Sequence, residues 1–445
     1  MDNLFGRTQI FTDVEEIGKD NILDVLDEAS KVHEQNVTEI EYLWNYYKGK
    51  QPILERIKEI RPEINNMIVE NRAKEIVDFK VGYLVGEPIQ YVGRGAADTE
   101  VINRLNDMML LRDKESQDED LATWQMICGT GYRGAFPTDD DTPFVAYSID
   151  PRQAFVVYSS GIDKRPMLGV YQVVDSEGDT HYTCYTEKLV FKVVGEDISV
   201  ASNPIELIPI IEYPANSARL GAFEPVITLL DAINTVDSNR VDGIEQFIQS
   251  LVVCFNVEFE EDVTAGKIMQ SGLLPLKRMD GLEQDVKILS QELNQSETEV
   301  AKADMYNAVL TICMMPNRNG GSSTSDTGIA VIYRDGWEAA ESAAKKQEML
   351  WRKSERQFLR VVEKICETIQ GATFNASDID IKFTRRNYEN IQSKAQVLTS
   401  MLDNGKIDPK LAFIYSNMFP DPEEAYRMSL PYITATSSQE VGREA

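Results

Sequence analysis

Histidine, cysteine and long hydrophobic runs are scarce in this chain, and each scarcity closes off a class of function. Its 445 residues include 2 histidines, His33 and His181, and 5 cysteines. A two-histidine metal site or a Ser-His-Asp triad would have to draw on one or both of those distant histidines. No HExxH, GxSxG or GxxxxGKS/T pattern occurs. Cys128, Cys184, Cys254, Cys313 and Cys366 stand singly, without a CxxC pair. That spread suits reduced core thiols of an intracellular chain rather than a disulfide framework. The most apolar short stretch, Leu251–Phe255, is far below the about 20 residues that cross a bilayer. The start, Met1–Gly6, lacks the basic and apolar regions of a secretion signal. The expectation is a soluble protein made in a cytoplasm.

Bases are scarce too. Lys and Arg number 45 against 73 Asp and Glu, a formal net charge of −28. Tight nucleic-acid binding normally relies on clustered cations that displace counterions from phosphates, so this balance argues against it. An anionic membrane surface is disfavoured for the same reason. What is plentiful is core material: 42% of residues are hydrophobic. At this length the chain should hold roughly two to four structural units.

One glycine pattern invites a cofactor reading. Gly129-Thr-Gly131-Tyr-Arg-Gly134 fits GxGxxG. A dinucleotide site needs a strand entering the glycines and a helix leaving them, so that the helix N-terminus meets the pyrophosphate. Here the order is reversed. Leu121–Cys128 enters as an amphipathic helix, and Phe144–Ile149 follows as a strand. The glycines read as a helix stop and tight turn, and no cofactor is expected. Asp139, Asp140 and Asp141 sit between Pro137 and Pro143 and project in different directions. They read as a solvated hairpin turn rather than a metal site.

The apolar spacing predicts helices over Glu15–His33 and Val37–Lys48, a turn at Gly49–Pro52, and a helix from Pro62 to the glycine-proline stop at Gly86–Pro88. A short strand follows at Ile89–Val92. Ala154–Tyr158, Leu168–Val174, His181–Thr186 and Lys188–Val194, separated by turn signals, read as a β-meander. From Pro225 to Leu251 the pattern is helical, with a broad polar face (Asp231, Asn234, Asp237, Asn239, Arg240, Glu245) suited to packing against copies of itself. Val257–Asn294 then reads as a small α/β insertion with strands at Leu273–Lys277 and Val286–Leu289 and a short helix at Val263–Met269. A second helix spans Ser296–Met315.

Next comes Pro316–Gly328, thirteen polar residues with no side chain long and apolar enough to anchor them in a core. Beyond it, Ile329–Gln370 reads as a long helix with its apolar face broken at Ser354, and with Gly336 as a kink or true start. A strand (Ile379–Phe383), helices at Tyr388–Met401 and Asp408–Phe419, and a disordered tail from Thr434 complete the chain. The fold class is α+β.

Several segments, in order, resemble the portal protein family of tailed bacteriophages over about residues 35–430. At the front they are Tyr46–Ile53 and Asn71–Tyr91. In the middle they are Gly129–Gly134 and Ile149–Arg152 running into Phe155–Tyr158. At the rear they are Met315-Pro316, the polar junction, Thr327–Ala330, Lys345–Glu348, Asn404–Asp408 and Phe419–Glu424.

The resemblance implies a multi-domain protomer. Its parts would be an N-terminal arm and wing (1–222), a stem helix (223–256), a clip (257–294) and a second stem helix (295–315). A tunnel loop (316–328), a long wing helix with a return strand (329–385), a crown (386–436) and a tail (437–445) would follow. It implies a structural channel rather than an enzyme, without cofactor or metal: a ring, usually of twelve subunits, at one capsid vertex of the virion. Double-stranded DNA would slide through non-specifically. The implied partners are the terminase large subunit, the head–tail adaptor, and the major capsid and scaffolding proteins, with no membrane. Asn317, Arg318, Asn319, Gly320, Gly321, Ser322, Ser323, Thr324 and Ser325 would face the DNA. Glu258, Glu260, Glu261, Asp262, Lys267, Lys277 and Arg278 of the clip would meet partners. The competing reading is a minor capsid or scaffold-binding protein that never encloses DNA.

Overall fold

Strands and helices come in blocks rather than in strict alternation. The computed structural model describes residues 6–59, 61–94, 99–248, 251–255, 257–259, 276–278, 285–289, 295–317, 336–370, 374–385, 391–404, 406–416, 418–419 and 422–441. They form two units: Met1–Gly49, Asn71–Ile227 and Leu310–Ala445 in the larger, and Lys50–Glu70 with Thr228–Val309 in the smaller. The α+β class holds.

The meander is the centre of the larger unit. Strands β5 (Ala154–Ser159), β6 (Pro166–Val174), β7 (Thr180–Tyr185), β8 (Leu189–Val194) and β9 (Asp197–Ser202) pair in antiparallel succession. A short N-terminal strand, β1 (Ile10–Thr12), adds to β5 in parallel. Helix α1 (Ile22–Tyr47) covers the sheet, burying Ile22, Val25, Leu26 and Ala29 against Phe155, Val157, Leu168, Val170, Phe191 and Val193. Sequence spacing suggests two helices here, yet the chain runs straight through. Asn36, at the expected break, is buried and turns its amide outward from the helix. It accepts from the Thr8 N–H at 2.8 Å and donates to the Thr8 carbonyl at 2.9 Å, pinning the N-terminal arm.

Helix α2 (Arg72–Val85) starts ten residues later than the apolar spacing suggests, with the Asn71 side chain capping it. After β2 (Gln90–Gly93), two helices follow, α3 (Thr99–Leu111) and α4 (Lys114–Cys128). The first has no counterpart among the expected elements. Strands β3 (Thr130–Pro137), β4 (Phe144–Ile149) and β10 (Ile210–Pro214) make a three-stranded sheet in the order β10-β3-β4.

In the smaller unit, α5 (Ile227–Ile248) ends before the expected Leu251, and Leu251–Phe255 is a strand, β11, instead of the end of a stem helix. Its β-branched run Val252-Val253 favours extended backbone. It pairs with β14 (Asp285–Leu289), while β12 (Val257–Phe259) pairs with β13 (Leu276–Arg278). The expected helix at Val263–Met269 lies outside the described residues. Helix α6 (Gln295–Ile312) leads back.

Helix α7 (Trp337–Gln370) begins directly after Gly336, whose φ of 84° marks a true start rather than a kink. Its far end leads to β15 (Ile379–Lys382), which pairs with β2. Helices α8 (Ile391–Leu402), α9 (Pro409–Ser416) and α10 (Pro422–Val441) close the chain. The last is a correction: residues from Thr434 to Val441 are helical, not a disordered tail.

Candidate functional site

Polar side chains of α5 are engaged inside the chain. Asn234, Ser238 and Asp242 recur every fourth residue, so they line one stripe of the helix, and all three are buried. Each takes one backbone N–H from an extended segment alongside. Asn234 accepts from Glu70 at 2.8 Å, Ser238 from Ile68 at 3.0 Å and Asp242 from Asn66 at 2.8 Å. Alternate N–H groups of an extended chain point the same way, which matches one acceptor per helical turn. This ladder explains why residues 62–70 are not helical despite their apolar spacing: their backbone donors are already taken. Two cations close its end on Asp242, Lys58 at 2.8 Å and Arg56 at 3.1 Å. Lys302 of α6 bridges Glu70 at 2.7 Å and Asp237 at 2.9 Å, and Arg240 reaches Glu299. Two helices and a strap are thereby joined into one stem-like element.

Between those helices in sequence, β12 and β13 put Glu258 opposite Lys277 and Val257 opposite Arg278 in register. Glu260, Glu261, Asp262 and Lys267 lie outside the described residues, so only three of the seven clip candidates have a described position.

Of the loop candidates, Asn317 alone is described, and Arg318 to Ser325 lie outside. Both roots of the loop belong to the larger unit. At the leading root, Met314 takes a φ of 52° and the Met315 N–H bonds to Leu310 O at 2.8 Å, while Met315 is buried. At the trailing root, Trp337 packs against Phe79 and Tyr83 of α2 with ring centres 6.1 Å apart in both cases. Tyr83 donates to Glu341 at 2.9 Å, and Arg385 also binds Glu341, at 2.7 Å. The polar junction thus departs from fixed ground at each end.

A fully buried ionic cluster lies further along α7. Glu355, 0% exposed, receives Lys114 Nζ at 2.9 Å, Arg133 Nη1 at 3.1 Å, the Tyr91 hydroxyl at 2.5 Å and the Tyr213 hydroxyl at 2.7 Å. Asp118 binds Lys114 at 2.8 Å and also Arg133. Two carboxylates face two cations, so the group is neutral as a whole, and it joins α4, β3, β2, β10 and α7. Burial alone would raise the Glu355 pKa, but Lys114 and Arg133 overcome that and hold it at about 2. Next to it, Ser354 Oγ donates to the Glu212 carbonyl at 2.7 Å. The break at Ser354 in the apolar face of α7 is therefore a polar joint. Glu212 is itself buried and bound by Arg219 at 2.6 Å, by Tyr158 and by Thr130.

These cluster residues escape motif reading. Their traces are faint: Lys114 and Asp118 at i,i+4, Arg133 between Tyr132 and Gly134, and Glu355 beside Ser354.

Of the GxGxxG glycines only Gly129 is the expected helix stop; Gly131 and Gly134 lie within strand β3, paired on both sides, rather than in a tight turn. Gly129 (φ 80°) caps α4, and a Cβ there would sit 1.9 Å from the Arg219 carbonyl oxygen. β3 follows at once. Asp139, Asp140 and Asp141 are exposed between β3 and β4. His33 is buried beside Phe155, with Nε2 3.2 Å from the Arg152 carbonyl, and burial lowers its pKa to about 4. His181 is on the surface, 2.8 Å from Asp175. Among the described residues no helix is long and apolar enough to cross a membrane.

The family model described as "Phage portal protein, SPP1 Gp6-like" matches residues 26–428. The portal protein of Bacillus phage SPP1 is 21% identical over 389 residues, covering 81% of this chain and 75% of that protein. Two solved structures are similar at lower likeness. The neck of a native GTA particle computed with C12 symmetry has a TM-score of 0.45 at 14% identity, covering 78% of this chain and 90% of that one. The neck of an empty GTA particle computed with C6 symmetry has a TM-score of 0.43 at 13% identity, with the same coverages.

Proposed function

The chain belongs to the SPP1 Gp6-like family of phage portal proteins, and from that membership we propose that it forms a ring-shaped channel at one capsid vertex, through which double-stranded DNA is packaged and later ejected. The observation that carries this reading is the family match across residues 26–428, which spans both units. The order helix, small β module, helix, polar junction and long helix supports it.

In this reading α5 and α6 are the stem, and the strands between them are the clip that docks the terminase large subunit and later the head–tail adaptor. Residues 317–325 are the tunnel loop, and α8–α10 are the crown toward capsid and scaffold. The mature location is the virion. The ring contains twelve copies, the chain itself does no chemistry, and ATP hydrolysis belongs to the terminase.

The acidic balance suits such a channel mechanically. Many Lys and Arg contacts to phosphates would hold a duplex in place, whereas an acid-rich wall repels it and lets it slide. Arg318 then makes at most weak, transient contacts. The ladder on α5 refines this picture, because Asn234, Ser238 and Asp242 are covered by the chain's own strap and belong to the stem's interior joints.

Deleting Gly320–Ser325 tests the loop. The expected result is normal assembly, since both roots are held by contacts outside the deleted residues, with impaired DNA packaging or retention in a complementation assay. Wild-type packaging by the deletion variant would refute the loop's role.

A further inference from the structure

Four exposed cations of α7 form an unpaired row on a chain whose net charge is −28. Among the described residues Lys346, Lys353, Arg356 and Arg360 make no hydrogen bond, ion pair or ring contact. Their spacing of seven, three and four keeps them on one face of the helix, over about 21 Å at 1.5 Å per residue. The other cations nearby are engaged: Lys345 with Glu341 at 3.4 Å, Arg352 with Glu348 at 3.0 Å, and Lys364 with Glu206 at 3.5 Å. No acid interrupts the row, because Glu348 and Glu355 are buried on the opposite side. Met349, 62% exposed, lies among the cations. Arg and Met are both enriched where proteins meet.

Helix α1 carries the complement. Its one cation, Lys31, is exposed among the acids but is held by Asp27 at 2.6 Å, and Asp24, Glu28, Glu34 and Glu41 are exposed and make no ion pair among the described residues. They cover about 26 Å by the same rise per residue. Helix α2 packs against both α1 and α7, while those two share no extended contact with each other. The acidic and the basic rows therefore flank a common neighbour within one unit, and neither neutralises the other.

We propose that the basic row of α7 in one copy docks on the acidic row of α1 in the next. The contact uses two different patches, so it is head-to-tail and closes into a ring when the rotation allows. It rests on the ring-forming reading above and supplies a subunit contact for it. Single exposed ion pairs contribute little. A matched row instead steers encounter and fixes register, and it is repeated at every joint. A DNA duplex would also seek cations, but the matching acids are on the chain itself, and the chain as a whole carries a net charge of −28.

Two charge-reversed full-length chains test this. One carries Lys346→Glu, Lys353→Glu, Arg356→Glu and Arg360→Glu; the other carries Asp24→Lys, Glu28→Lys, Glu34→Lys and Glu41→Lys. Folding is checked by circular dichroism and assembly by light scattering at physiological ionic strength. Each variant alone is expected to fold and to lose the wild-type assembly. An equimolar mixture is expected to regain it, because alternating copies again set cations against acids at every joint. Wild-type assembly by either variant, or two folded variants that stay unassembled when mixed, would overturn the contact. So would an α7 variant that assembles normally but loses affinity for a fluorescent DNA duplex, which would make the row a DNA contact. A wild-type chain that never assembles would instead remove the ring reading beneath it, and this contact with it.

Discussion

Replacing Glu355 by alanine is expected to destabilise the larger unit by about 3–5 kcal/mol, the range for removing one partner of a buried ion pair. The variant leaves Lys114 and Arg133, 5% and 0% exposed, with Asp118 as their shared counter-charge. It also strips the acceptor from two buried phenols, Tyr91 and Tyr213. Replacing Lys114, Asp118, Arg133 and Glu355 together by apolar residues of similar volume should cost less than the sum of the single changes, since no charge is then stranded. The same group gives a pH signature. The Glu355 pKa is lowered from 4.5 to about 2 on folding. Its contribution is therefore complete above its unfolded value and is lost as the pH falls from 4.5 toward 2. Urea unfolding followed by tryptophan fluorescence is a suitable probe, because Trp351 is buried one turn away with its ring 5.3 Å from that of Tyr213. An unchanged midpoint would mean that the cluster does not hold α7 to the sheet.

Replacing Asp242 by leucine is expected to release the end of the strap from α5, at a cost of about 2–3 kcal/mol to the smaller unit. Asp242 accepts from the Asn66 N–H and side-chain amide at 2.8 and 2.9 Å and binds Lys58 and Arg56. Both cations retain some access to water, which keeps the cost below that of the Glu355 change. Asn234→Ala and Ser238→Ala each remove one rung and should cost about 1 kcal/mol. Hydrogen exchange reads the effect directly. The amides of Asn66, Ile68 and Glu70 should be protected in the wild type, and in the Asp242 variant Asn66 should lose protection first. Persistent protection at Asn66 would show that the rung is not what holds the segment.

The parts of the fold that were legible in the sequence are those with a local cause. The meander showed itself through alternating Val, Tyr and Phe between turn residues, while Gly336 left a kink and a helix start equally open. The helix stop at Gly129 was readable because the order of elements around the glycines was wrong for a nucleotide. What escaped depends on distant partners. Residues 62–70 have helical spacing but spend their N–H groups on Asn234, Ser238 and Asp242, far along the chain. Asn36 looked like a break because its partner, Thr8, is not a neighbour in sequence. Val252 and Val253 continue the apolar pattern of α5, yet their pairing with Ile288 and Lys287 makes them a strand. The ionic cluster draws on five elements, so no single window contained it. The candidate loop rests on composition alone, because Pro316–Gly328 offers no long apolar side chain.

Negative-stain electron microscopy of the purified full-length chain, with mass by light scattering on the same sample, tests the central claim most directly. The account predicts closed rings with a central hole wide enough for a DNA duplex, and a mass that gives the number of copies. A compact dimer or trimer without a hole would contradict it and favour a capsid component that never encloses DNA.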